Sequence, residues 1–154
     1  MIDTLIPDLK ALEQYGFVPF GKFGIAQTGE STLQFIDEAV ADYRRGIYTW
    51  VIDKEIVRIG ASKNPLRARA KQHSRWIEMR LLGIAKITDE KKLAKQTEEA
   101  KRWQAALTNG RSAIIWGRRG TIVKTPVGEL NTYLAEENAL LEAYRPKFNN
   151  SFFR

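Results

Sequence analysis

The stretch RGIYTWVIDKEIVRIG, Arg45 to Gly60, decides how this chain is read. GIYTWVID and EIVRIGAS are runs of β-branched and aromatic residues on either side of Asp53-Lys54-Glu55, the pattern of a β-hairpin. Across a three-residue loop, even-numbered positions of the two strands share a face. Tyr48, Trp50 and Arg58 then fall on one side, and Ile47, Val51, Val57 and Ile59 on the other. An arginine just before the closing glycine of an apolar strand is either solvated surface or part of a site.

Helical signals follow the hairpin. Asn64 and Pro65 read as N-cap and first helical residue of LRARAKQHSRWI. Arg69 and His73 are four residues apart there, on one face. Leu93, Gln96, Ala100, Trp103 and Leu107 step by three and four, which predicts a helix over 88–108 that stops at Asn109-Gly110. SAIIWGRRGTIVKT reads as two strands joined at Arg118-Arg119-Gly120. A last helix, about 128–144, precedes Pro146. Before the hairpin, Leu5, Leu9 and Leu12 predict a short helix. The glycine-rich residues 16–30 read as loop, and STLQFIDEAVADYRR reads as a helix with a Ser31–Gln34 capping box.

One position of the last helix breaks its apolar stripe of 130, 134, 137, 141 and 144, and that position is Glu137. A bare buried carboxylate costs several kcal/mol, so Glu137 must be paired, protonated or metal-bound. The neighbouring Glu136 points elsewhere on the helix.

Charge adds a partner class. The chain has 154 residues and a net charge of +7. Positive charge concentrates after residue 44, since residues 1–44 are net acidic. A basic domain without a basic amphipathic anchor favours nucleic acid over membrane. No apolar run reaches membrane-spanning length, and the N-terminus lacks a signal-peptide pattern. With no cysteine there is no disulfide or thiolate metal site, in keeping with an intracellular protein. The length fits one domain, 1–154.

A phenol, guanidiniums, an imidazole and a carboxylate on semi-buried faces of a basic protein form a parts list for phosphodiester hydrolysis. Arginines neutralise the phosphate. One carboxylate plus water suffices for a Mg2+-type ion, which can stabilise a leaving oxygen. A tyrosine or histidine can take the proton from water.

Four separated segments carry a family resemblance. Gly46-Ile47-Tyr48 comes first, and Arg58-Ile59-Gly60 stands ten residues on. ASKNPLRARAKQH follows, and EENALLEAYRPKFN places Glu137 twelve residues before Asn149. In this order and spacing the chain resembles the GIY-YIG nucleases. It departs where the second signature tyrosine is Arg58, and where Ala61 replaces an often basic residue. A basic residue in place of that tyrosine looks most like the type II restriction endonuclease branch.

The resemblance implies an α+β fold, with a small central antiparallel sheet of about three strands flanked by helices. Residues 45–150 would be the nuclease core, with an N-terminal helical extension 1–44 and a helical insertion at about 77–111. It implies Tyr48 as general base, Arg58 and Arg69 on the scissile phosphate, His73 beside them, Glu137 as the single ligand of Mg2+ or Mn2+, and Asn149 as a support. Lys63, Arg67, Lys71, Arg118 and Arg119 are candidate DNA contacts. The expected partner is double-stranded DNA, not a membrane, with a homodimer if both strands are cut. Two other readings stay open: a phage, mobile-element or repair nuclease acting on DNA structure, and a nucleic-acid-binding module that has lost catalysis.

Overall fold

A computed structural model describes residues 9–149. Its centre is a five-stranded sheet built from β1 (Val18–Ile25), β2 (Ser31–Phe35), β3 (Gly46–Ile52), β4 (Glu55–Ser62) and β5 (Ala113–Arg119). The spatial order is β2-β1-β5-β3-β4, and every neighbouring pair is antiparallel. A separate hairpin pairs β6 (Ile122–Thr125) with β7 (Gly128–Asn131). The helices are α1 (Leu9–Gln14), α2 (Glu38–Ala41), α3 (Leu66–Leu81), α4 (Glu90–Ala106) and α5 (Tyr133–Tyr144).

Each face of the sheet buries its own core. One cluster joins Phe20, Phe23, Tyr48, Trp50 and Ile115 to Leu66, Ala70 and Ile77 of α3 and to Ala100 and Trp103 of α4. The other joins Ile47, Val51, Ile56, Ile59 and Trp116 to Leu12 and Phe17, with Tyr133, Leu140, Leu141 and Tyr144 of α5 packed against it. The α4 stripe behaves as its spacing predicts, with Gln96, Ala100, Trp103 and Leu107 all buried. Asp89 caps α4 by accepting from the Lys92 N–H at 3.1 Å. Among the described residues no helix is long and apolar enough to cross a membrane.

The β3–β4 hairpin forms as expected but turns more tightly. Ile52 pairs with Glu55, so the loop is the two residues Asp53 and Lys54, at φ 49° and 68°. Positive φ at both central residues is the turn whose twist matches a hairpin. A two-residue loop in a regular ladder would pair residue 58 with 49 and turn Arg58 to the Ile47 face. It does not, because the register slips between Trp50 and Val51: Val51 pairs with Ile56, yet Trp50 pairs with Arg58. Val57 is the extra residue of a β-bulge. It therefore lies in the core cluster of Tyr48 and Trp50, not on the Ile47 face where simple alternation put it.

The N-terminal third departs most from its sequence pattern. Ser31–Phe35 is a strand paired with β1, and only Glu38–Ala41 of the expected helix forms, capped by Asp37. Leu33 and Phe35 pack inward at period two, whereas Ile36 is exposed. Ser31 does not cap a helix; its N–H and Oγ donate to Glu78 of α3 at 2.7 and 3.0 Å. The glycine-rich 16–30 contains the eight-residue β1. Pro19 sits where the β1–β5 register slips, a place a sheet tolerates proline. These two strands widen the expected three-stranded sheet to five.

Three boundaries also shift. β6 pairs with β7 rather than with β5, so 128–131 is strand and α5 begins at Tyr133. Leu130 and Leu134 are accordingly exposed. Asn64 does not cap α3; the helix starts at Leu66, whose N–H donates to the Tyr43 carbonyl at 3.0 Å. α1 starts at Leu9 in the described chain, and Leu5 lies outside the described residues.

The segment around 77–111 is thus part of the core. Trp103 is fully buried with its ring against Phe23, Trp50, His73 and Phe148. Trp103→Ala is expected to destabilise the fold by about 3–5 kcal/mol in denaturant titration. A loss near zero would mean that α4 packs loosely.

Candidate active site

A cavity of about 240 Å3 opens at the free edge of β4. Tyr48, Arg58, Arg69, Glu137 and Asn149 all line it, with Gly60, Ala61, Asn138 and Leu141. Larger clefts, among them two of about 580 and 860 Å3, gather no comparable set. The first is walled by α4 and Phe148, the second by the ends of β1 and α4.

The cavity draws on both faces of the sheet, which meet at this edge. Tyr48 belongs to the α3 face and Glu137 to α5 on the opposite face. Tyr48 pairs with Gly60, and its ring crosses that glycine. A Cβ at residue 60 would lie 2.2 Å from Tyr48 Oη, so only glycine lets the phenol pass. Arg58, 2% exposed, reaches the same place because of the Val57 bulge. Arg69 enters from the second turn of α3.

The chain after α5 fixes this geometry. Arg145 breaks the helix in the left-handed region, at φ 44°. The segment then runs along β4, where the Phe148 N–H donates to the Val57 carbonyl at 2.9 Å. The Asn149 side chain bonds the Ile59 backbone twice: Ile59 N–H donates to Oδ1 at 2.8 Å, and Nδ2 donates to the carbonyl at 2.6 Å. Arg58 Nη1 donates to the Phe148 carbonyl at 3.3 Å. Residues 148 and 149 thus hold the backbone on both sides of Arg58.

Glu137 and Glu136 separate as the helical period requires. Glu137 is half-buried at the cavity. Glu136 braces the β5–β6 turn, accepting from Thr121 N–H and Oγ1 at 3.0 and 3.1 Å and pairing with Arg118 at 3.3 Å. Among the described residues no three His, Asp or Glu side chains cluster as a metal cage. Glu137 is the one carboxylate of the cavity lining, which it shares with Arg58, Arg69, Asn138 and Asn149.

His73 does not line the cavity. It is fully buried behind it, edge-on to Trp50 and Trp103 at 5.0 and 5.1 Å and stacked over Trp76 at 6.3 Å. Burial holds its pKa well below the usual histidine value, and the charges of Arg58 and Arg69 push the same way. The imidazole is therefore neutral near pH 7.

The five candidate DNA contacts divide. Lys63, Lys71 and Arg119 are exposed, with Lys71 over the Phe35 ring and Arg119 over Tyr43. Arg67 is engaged with Asp42 at 2.8 Å and with Glu38, and Arg118 with Glu136. The sequence reading missed Asn138 and Ala61 as cavity lining. Asn138 adjoins Glu137 but carries no periodic signal, and an alanine leaves none at all.

No protein-family model matches this chain, and no curated protein matches it in sequence. Among solved structures, a mutant of bacteriophage T4 EndoII superposes with a TM-score of 0.58 at 18% identity, over 92% of this chain and 97% of that one. The two share a fold. Restriction endonuclease HPY188I in complex with product DNA matches with a TM-score of 0.47 at 16% identity, over 92% of this chain and 82% of that one.

The buried histidine sets a pH dependence. The unfolded chain takes up a proton at His73 near pH 6.5, and the folded chain takes it up only well below that. This contribution to stability is present above pH 6.5 and is lost as pH falls. Melting temperature is expected to drop from pH 7 to pH 5, and His73→Leu is expected to flatten that slope. An equal slope in both proteins would contradict the assignment.

Proposed function

We propose that this chain is a metal-dependent endonuclease of the GIY-YIG type that hydrolyses phosphodiester bonds in double-stranded DNA. The observation that carries the reading is the convergence of Tyr48, Arg58, Arg69 and Glu137 on one cavity. They come from two strands and two helices on opposite faces of the sheet. The net charge of +7 supports a polyanionic substrate.

The chemistry follows from these side chains. Tyr48 accepts a proton from the attacking water, whose oxygen bonds to phosphorus as the P–O3′ bond breaks. The leaving O3′ takes a proton from solvent water, so the products carry a 5′-phosphate and a 3′-hydroxyl. Arg58 and Arg69 hold the phosphate and offset the charge that builds on its oxygens. Glu137 would hold a Mg2+ or Mn2+ ion, which when bound supplies positive charge for the leaving oxygen. His73, neutral and walled in by tryptophans, orients its surroundings rather than relaying protons to the cavity.

The basic Arg58 in place of a second signature tyrosine supports a type II restriction enzyme. One cavity per chain then requires two chains to cut both strands, hence a homodimer. The fold shared with a phage endonuclease supports a second reading, a phage-type nuclease acting on DNA structure. Mapped plasmid ends separate them: discrete sites for the first, scattered or structure-dependent nicks for the second.

Purified protein is expected to convert supercoiled plasmid to nicked and linear forms only with Mg2+ or Mn2+. Glu137→Ala should slow this by about 100-fold or more, and Arg58→Ala by about 10–100-fold. Arg58→Tyr, which also removes the guanidinium, should slow it likewise. Absence of cleavage by the unmutated chain, or equal cleavage by Glu137→Ala, would overturn the reading. Unchanged activity in both Arg58 variants would remove Arg58 from it.

A further inference from the structure

β4 is the edge strand of the sheet, and among the described residues Phe148 and Asn149 bond only part of that edge. Phe148 takes the Val57 carbonyl, and Asn149 takes both the N–H and the carbonyl of Ile59. In an antiparallel ladder the backbone groups of successive residues point alternately to one neighbour and to the other. Ile59 points outward, so Gly60 points to Tyr48 of β3 and Ala61 points outward again. The β3 side agrees: Arg45, two residues before Ile47, turns its carbonyl to the β5 side, where it accepts from Gly120 N–H at 3.0 Å. Tyr48 is therefore free to bond Gly60, and Ile47 is turned away from Ala61.

The Ala61 N–H thus lies at the open edge, one hydrogen-bonding position beyond the Asn149 clamp. Ala61 lines the cavity with Arg58 and Arg69, and among the described residues no group accepts its N–H. Its side chain points to the Ile47 face, away from Tyr48. A fixed N–H beside two guanidiniums is a donor aimed at an anion, and it needs no reorganisation when that anion arrives.

We propose that the Ala61 backbone N–H donates a hydrogen bond to a non-bridging oxygen of the phosphodiester, making the free edge of β4 part of the substrate site. This rests on the endonuclease reading and names a contact within it. The donor supplies orientation as well as charge. Arginine side chains can follow a moving phosphate, whereas a strand N–H admits one oxygen at one position. The proton stays on nitrogen, so hydrolysis proceeds as already written.

The decisive variant replaces the Ala61 amide with an ester by incorporating lactic acid at that position, which removes the N–H and adds no atom. Ala61→Pro removes it by mutation, and Ala61→Gly keeps it. Mg2+-dependent plasmid cleavage, and affinity for a DNA duplex in EDTA, are measured beside melting temperature. The ester is expected to slow cleavage by about 100-fold or more and to weaken duplex binding, with a melting temperature lowered only modestly by the weaker Gly60 ester carbonyl. Ala61→Pro should do the same, whereas Ala61→Gly, which keeps the donor, should retain more activity than either. Cleavage by the ester variant at the unmutated rate overturns the proposal while leaving the endonuclease reading intact. So does failure of both the ester and proline variants to fold, because it would place this N–H inside the ladder. An unmutated chain that cleaves no DNA removes the endonuclease reading itself, and this proposal with it.

Discussion

Two residues of β4, Val57 and Arg58, stand opposite a single residue of β3, Trp50, and the candidate site depends on that mismatch. The tight turn at Asp53-Lys54 would by itself send Arg58 to the wrong face. The bulge restores parity and brings a guanidinium beside Tyr48. Its cost is a disrupted ladder, on the order of one net hydrogen bond, about 0.5–1.5 kcal/mol. Full burial of the Val57 side chain offsets that by about 1.5–3 kcal/mol. The Val57 carbonyl is not left bare either, since the Phe148 N–H takes it.

The same edge explains why the last residues of the described chain matter to a site built mostly from the hairpin. Asn149 occupies the ladder position beside Ile59 with a side chain instead of a strand, and so satisfies the edge without extending the sheet. Arg58 is bonded to the Phe148 carbonyl and Glu137 lies one helix upstream. Loosening the clamp would therefore disturb arginine, backbone and carboxylate together. His73 closes the back of this assembly as a neutral ring among Trp50, Trp76 and Trp103.

Much of the site was legible in the sequence because its signals are local. Glu137 interrupts an apolar stripe, Asn149 follows it at a fixed spacing, and both line the cavity. Tyr48 and Arg58 share a face, as alternation across a three-residue loop predicts, but they do so through a two-residue loop and a bulge. The bulge that produces the result has no local mark, since Val57 is an ordinary strand residue. The failures were non-local. Ser31–Phe35 satisfies a capping-box pattern and yet is a strand, because β1 offers it a ladder and Glu78 of α3 takes its serine. β7 looked helical for the same reason: Leu130 fits the stripe of α5 but pairs across to Val123. Periodicity reports which residues want burial, and partners distant in sequence decide how.

Under the proposed function, Tyr48 and Arg58 act together at the β4 edge because Gly60 leaves room for the phenol. Gly60→Ala tests this most directly, with Mg2+-dependent plasmid cleavage and thermal melting measured on the same sample. A cooperative melt is expected, with cleavage reduced to the level of Tyr48→Phe, because a Cβ 2.2 Å from Tyr48 Oη must displace the ring. Cleavage by Gly60→Ala at the unmutated rate would contradict it.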